Sequence, residues 1–263
     1  MTSPTPYADR RIALMYHALS GAGSPSEGQD AHYSVTTAQF AAHLAELARR
    51  GGGASARDWL AGGKPAATLL TFDDGHLSNY TLATPALLDA GVGADFFVNP
   101  GRVGTRGFAS WAQLREMADQ GLSIQSHGWD HRYFTELTPA ELREDLTRSR
   151  TEIEDRIGRR VRLLAPPGGR MPAQLAETAR ECGYTHVLSS RPGGIRDAAA
   201  HVLPRMAVTA QLDLATLQGW LAGRGLSRAR LRYAALDLAK RTLGDRGYER
   251  LRARLLGQAR SPA

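Results

Sequence analysis

The chain has 263 residues, 42% of them hydrophobic, and a formal net charge of +7. That is enough for one large core, or for a barrel with an appendage. A single cysteine, Cys182, excludes an internal disulfide, and no apolar run reaches the roughly 18 residues a membrane-spanning helix needs.

In chain order, Met1 to Tyr7 are polar and lack an apolar signal core, so a cytoplasmic location is expected. Arg11 to Tyr16 predicts a strand, closed by His17. Thr37 to Arg50 predicts a helix with Phe40, Leu44 and Leu47 on one face. The glycine-rich runs Gly21 to Gly28 and Gly51-Gly52-Gly53 read as loops. Neither is followed by Lys-Ser/Thr, so neither cradles phosphate. Thr68 to Phe72 predicts a buried strand that ends on Asp73-Asp74-Gly75. A helix near Leu82 to Asp89, a strand at Ala94 to Val98 and a helix at Trp111 to Asp119, capped by Ser110, follow. Leu122 to Gln125 predicts a strand leading into Ser126-His127-Gly128-Trp129-Asp130-His131. Thr138-Pro139-Ala140-Glu141 is a capping box with proline at the first helical position, opening a helix to about Ile157. Strand Arg162 to Ala165 leads to the Pro166-Pro167-Gly168-Gly169 loop and a helix from Ala173 to Glu181. Cys182 lies in that apolar helical pattern and reads as buried and inert. Strands at Tyr184 to Leu188 and Val202 to Val208 finish the set. Strands alternating with helices predict a parallel sheet or barrel.

The charge sits at the end. Residues 224–260 hold eleven Arg or Lys against three Asp or Glu, a net of +8, which leaves residues 1–223 near neutral. The expected division is a barrel at 1–223 and a basic helical extension at 224–263. Two stripes, Leu231, Ala235 and Leu238, then Tyr248, Leu251 and Leu255, predict two helices there. They would pack on the barrel with a solvated basic face, or offer that face to anionic lipid, a lipid-linked sugar diphosphate or an acidic partner, peripheral to a membrane. No recognition motif accompanies the charge, so nucleic acid is not an expected partner.

The chemistry concentrates at two strand ends. Adjacent carboxylates repel, so Asp73-Asp74 signals a cation or a reaction more than a solvated Asp-Gly turn. His127 and His131 stand four positions apart after a second strand. One carboxylate with two imidazoles makes a metal-binding set that leaves positions open for water, and the second carboxylate is then free to act as a base. These residues cluster at the C-terminal ends of strands, where barrel enzymes place their chemistry.

Thr71-Phe72-Asp73-Asp74-Gly75 followed by His127-x-x-x-His131 resembles the polysaccharide deacetylase family, carbohydrate esterase family 4, over roughly residues 10 to 210. The resemblance implies an α/β fold, an irregular (β/α) barrel. It implies Asp73 as catalytic base and Asp74, His127 and His131 as ligands of one divalent ion. Zinc is the first expectation, with nickel, cobalt or iron as alternatives. The implied reaction is metal-assisted hydrolysis of an N-acetyl or O-acetyl group, on an acetylated amino-sugar. Two departures stand out. The family's Arg-x-Pro-aromatic-Gly motif here reads Ala165-Pro166-Pro167-Gly168-Gly169, without the arginine that orients the base and without the aromatic. The Gly168 N–H can still serve the oxyanion. The family's Leu-x-His acid motif is also absent. Leu14-Met15-Tyr16-His17 and Leu203-Pro204-Arg205-Met206 resemble the circularly permuted poly-N-acetylglucosamine deacetylase subgroup, which implies His17 as general acid and Arg205 as the replacement arginine. The competing readings are a core histidine and a surface arginine. Pro167, Gly168, Gly169 and Trp129 are the expected oxyanion and substrate residues. Tyr133, Phe108 and Trp111 are further loop aromatics expected near the site, for stacking or packing. Two other functions stay open: an amidohydrolase of a small nucleotide-linked, lipid-linked or natural-product substrate, and a catalytically dead carbohydrate-binding scaffold. The complete Asp-Asp-His-His set argues against the last.

Overall fold

Eight short, buried strands run parallel in one sheet. A computed structural model describes residues 10–21, 27–63 and 66–235. The strands are β1 (Ile12–Tyr16), β4 (Thr68–Phe72), β5 (Asp95–Val98), β6 (Ser123–Ser126), β7 (Leu163–Leu164), β8 (His186–Leu188), β9 (Val202–Leu203) and β10 (Met206–Ala207). Their order is β10-β1-β4-β5-β6-β7-β8-β9, and every pairing is parallel. Continuous apolar runs such as Ile-Ala-Leu-Met-Tyr suit strands covered on both faces. Alternate residues form two cores. Ala13, Leu69, Phe97, Leu163, Leu188 and Leu203 share one cluster. Ile12, Leu14, Leu70, Phe96, Ile124 and Val187 belong to the other, which includes the helices.

The stretch Val202 to Val208 is not the single strand its composition predicts. It is β9 and β10, which lie on opposite edges of the sheet with only Pro204 and Arg205 between them. Three peptide steps reach at most about 11 Å, so the sheet must curl until its edges nearly meet. Proline has no N–H to continue a ladder, and the change of edge falls there. The result is a distorted (β/α) barrel with one unladdered seam.

The helices are α1 (Thr37–Arg49), α2 (Ala56–Leu60), α3 (Thr84–Asp89), α4 (Trp111–Asp119), α5 (Pro139–Ile157), α6 (Leu175–Glu181) and α7 (Leu214–Leu221). Reciprocal capping boxes open α1, α4 and α5 at Thr36, Ser110 and Thr138, and left-handed Gly158 (φ 71°) ends α5. The helix expected near 82–89 begins earlier, as a π turn over Asn79–Ala83. The sequence reading also missed α2, α7, and a small parallel sheet of β2 (Ala18–Ser20) and β3 (Ser34–Thr36). Asp213 caps α7 through Thr216 N–H, a signal that was readable.

Residues 226–235 are helical, but the predicted stripe is off-register. Leu226 is buried and Ala229 packs on the core, whereas Leu231 is 74% exposed. Leu238, Tyr248, Leu251 and Leu255 lie outside the described residues. No helix among the described residues is long and apolar enough to cross a membrane. Cys182 is buried, as expected.

Asp95 starts β5 and is fully buried. Its oxygens accept the N–H groups of Ala56 (2.5 Å) and Arg57 (3.3 Å), the first two residues of α2. Burial outweighs these bonds and pushes its carboxyl up to about 6. Below the ordinary aspartate range both states are protonated. Between about pH 4 and pH 6 the folded state holds the proton that the unfolded chain has lost. This group's contribution to stability therefore falls as pH rises through that window, by about 3 kcal/mol, and is flat above it. Urea unfolding of Asp95→Asn near pH 4 and near pH 7 should show a smaller difference than the parent. Equal differences would refute the assignment.

Candidate active site

At the end of β4 the Asp73 N–H donates to the Tyr16 carbonyl (2.9 Å), and the chain then turns through two left-handed residues, Asp74 (φ 77°) and Gly75 (φ 72°). Among the described residues only Asp74 and His131 (φ 67°) take this conformation without being glycine. Such a conformation costs energy in an L-residue and persists where the surroundings impose it, most often at functional sites.

The structure brings those two residues together with His127. Asp74 Oδ1 lies 3.4 Å from His127 Nε2 and 3.2 Å from His131 Nε2. One ligand atom from each of the three falls within 4.8 Å of the others. The His127 Nδ1 stands 2.8 Å from the Ala165 carbonyl, which can only accept, so Nδ1 carries the proton and Nε2 presents its lone pair to the centre. Asp74 Oδ1 is buried and receives no hydrogen bond from any described residue. Converging N and O donors around a buried, donorless oxygen fit a divalent cation.

Asp73 is also buried, yet paired. Arg205 Nη1 and Nη2 donate to its two oxygens at 2.7 and 2.8 Å. Burial would raise its carboxyl, and Arg205, with His127, pulls it below the ordinary value. Arg205 is itself completely buried. It donates to Thr71 Oγ1 (3.1 Å) and the Ser189 carbonyl (3.3 Å), and its guanidinium lies 5.4 Å from the Phe97 ring centroid. It is not a surface arginine. Ala165, on the Pro-Pro-Gly-Gly side, has no side chain to reach Asp73, and the guanidinium arrives from the barrel seam instead.

His17 follows β1. Its carbonyl accepts from Asn79 Nδ2 (2.7 Å), which the π turn delivers, and its ring stacks on Tyr33 (centroids 4.4 Å apart). Nδ1 is buried without a hydrogen-bond partner among the described residues. Burial lowers its pKa, against the field of Asp74 and Asp73. The Pro167–Gly169 turn uses the Gly169 N–H on the Pro166 carbonyl (3.0 Å), while the Gly168 N–H makes no hydrogen bond among the described residues.

The loop holding both histidines is pinned by residues the sequence reading missed. Asn99 Nδ2 donates to the carbonyls of His127 (2.5 Å) and Gly128 (3.2 Å). Asp145 accepts the Trp129 N–H (2.9 Å), and Ser149 donates to the Gly128 carbonyl (3.1 Å). Burial pushes the Asp145 carboxyl up to about 6. The readable signal was polar Asp145 and Ser149 on the buried stripe of α5, with Leu142, Leu146 and Ile153. Of the four aromatics, Tyr133 lies beside a donor, its centroid 6.4 Å from that of His131. Trp129 is stacked by Arg148 (3.5 Å), and Phe108 packs edge-on to His76. Trp111 begins α4 instead of lying in a loop, and packs on the core.

Residues 62–187 match the family model described as polysaccharide deacetylase. That segment, just under half of the chain, belongs to the polysaccharide deacetylase family. YxkH of Bacillus subtilis is 30% identical over 142 residues, which are 54% of this chain and 51% of YxkH. The chain thus spans about half the length of that relative. The deacetylase PplD of Streptococcus pyogenes, solved with acetate, shares the fold (TM-score 0.71, 23% identity, 80% of this chain and 96% of that one). IcaB of Ammonifex degensii matches at TM-score 0.64 and 28% identity, over 84% and 97% of the two chains. Circular permutation is not shown by these likenesses. Within this barrel, the donor set and the Asp73–Arg205 pair occupy the C-terminal ends of the strands.

Proposed function

We propose that the chain is a metal-dependent deacetylase that hydrolyses the N-acetyl group of an acetylated amino-sugar. The convergence of Asp74, His127 and His131 beside a separately paired Asp73 carries this reading. A divalent ion held by the three donors, zinc first among nickel, cobalt and iron, would supply Lewis acidity toward the acetyl carbonyl and the attacking water. Asp73 takes the water's proton. Arg205 fixes its orientation and leaves each oxygen a further acceptor site. The Gly168 N–H donates to the oxygen that becomes negative as the C–O bond forms. His17 gives a proton to the nitrogen as the C–N bond breaks, since an amine leaves poorly as an anion. Acetate and a free amino-sugar result. The described residues offer a complete set for each of these tasks, which supports an enzyme over a binding scaffold.

The purified protein should hold about one divalent ion per chain. It should release acetate from N-acetylated oligosaccharides and stop when chelated. Assay of acetylated nucleotide sugars beside the oligosaccharides tests the small-substrate alternative. Metal-free protein with full, chelator-resistant activity would sink the mechanism.

A further inference from the structure

We propose that Tyr133 is the specificity-determining wall on which the substrate's sugar ring stacks. This rests on the deacetylase reading above and adds to it a recognition element built from two separate loops. A Cβ added at Gly168 would lie 2.6 Å from Tyr133 Cε1, so the phenol ring occupies the space that a side chain at Gly168 would fill. Gly168 also has a left-handed backbone (φ 59°), and only glycine combines that turn with so close a ring. Arg170 places its guanidinium 5.1 Å from the same ring's centroid. Arg170 is 8% exposed, so the ring is held against a fixed, buried cation. Tyr133 itself stays half-exposed.

The ring therefore links two parts of the site. It packs on Gly168, whose N–H makes no hydrogen bond among the described residues, and its centroid lies 6.4 Å from that of His131. An acetyl oxygen bound at the Gly168 N–H puts the amide nitrogen one bond from the carbonyl carbon and the sugar's C2 two bonds away. The pyranose is then within reach of the Tyr133 ring, which packs on Gly168. Aromatic walls beside a few fixed polar groups are the usual make-up of small-ligand sites, and a tyrosine offers a large rigid face at little entropic cost. The chain thus brings from the His127–His131 loop a ring that Gly168 lacks.

The test compares Tyr133→Ala, Tyr133→Phe and Tyr133→Leu in the full-length metal-loaded chain. Substrates are tetra-N-acetylchitotetraose and p-nitrophenyl acetate, a small ester with no sugar ring. The alanine variant should raise KM on the oligosaccharide by roughly tenfold. It should keep its metal and its kcat/KM on the aryl ester. Phenylalanine should restore the parent KM. Leucine keeps the bulk against Gly168 without the ring, so it should show the alanine effect even where alanine loosens the loop. Equal losses on both substrates, or an unchanged oligosaccharide KM in the leucine variant, overturn the role of Tyr133 and leave the deacetylase reading standing. A metal-loaded parent that releases no acetate from the oligosaccharide overturns both.

Discussion

Asp73→Asn should keep the metal and lose roughly 10²- to 10⁴-fold in turnover on an N-acetyl substrate. The amide occupies the same space and still meets one arm of Arg205, but the buried guanidinium loses its counter-charge, so the variant should also be less stable by about 3–5 kcal/mol, and turnover is compared well below its unfolding temperature. What is removed is the ability to take a proton. Asp74→Asn is the contrast, because Asp74 Oδ1 faces the two imidazoles directly and its loss should empty the metal site. Metal content by elemental analysis separates the two variants, and turnover of a metal-loaded sample reads the base alone. His17→Ala belongs in the same experiment. A missing acid should hurt the amide more than an activated aryl acetate, whose leaving group needs no proton. Near-native turnover in Asp73→Asn would move the base elsewhere.

Arg205→Ala should destabilise the fold by about 3–5 kcal/mol, the usual cost of stranding one member of a buried ion pair. Both partners are buried, and the guanidinium is bidentate. Burial would then act unopposed on Asp73, drive it toward the protonated form and remove its use as a base. Arg205→Lys should rescue little, since a point charge cannot reproduce the fork. The decisive comparison is a double-mutant cycle by urea unfolding. Arg205→Ala should cost clearly less in an Asp73→Asn background than in the parent. Equal costs in the two backgrounds would show that packing on Phe97, not the pair, is what the arginine contributes.

The strand-end motifs were legible because their chemistry is contiguous. Asp73 and Asp74 follow an apolar run, and His127 and His131 sit within one loop. Helix starts at Ser110 and Thr138 were legible for the same reason, since a capping box closes within four residues. What depends on distant partners was not. Asn99, Asp145, Ser149 and Tyr33 reach the site through residues 16 to 28 positions away. The stripe at Leu231 and Ala235 failed because apolar spacing locates a face and not what covers it. Val202 to Val208 failed because composition marks extended chain without saying where the chain changes edge.

That change of edge has a consequence for how the protein matures. Synthesis runs from the N-terminus, so Asp73, His127 and His131 leave the ribosome well before residue 205. Until then seven of the eight strands of the main sheet can associate, but Asp73 would be drawn into the interior with no counter-charge. Burying it alone is unfavourable, which discourages premature closure of the half-made sheet. When Pro204 and Arg205 arrive, one short segment supplies the last strand beside β1 and the guanidinium for Asp73. Shutting the barrel and charging its base are then a single event. A nascent chain stalled before residue 204 would own every metal ligand and still lack an armed catalyst.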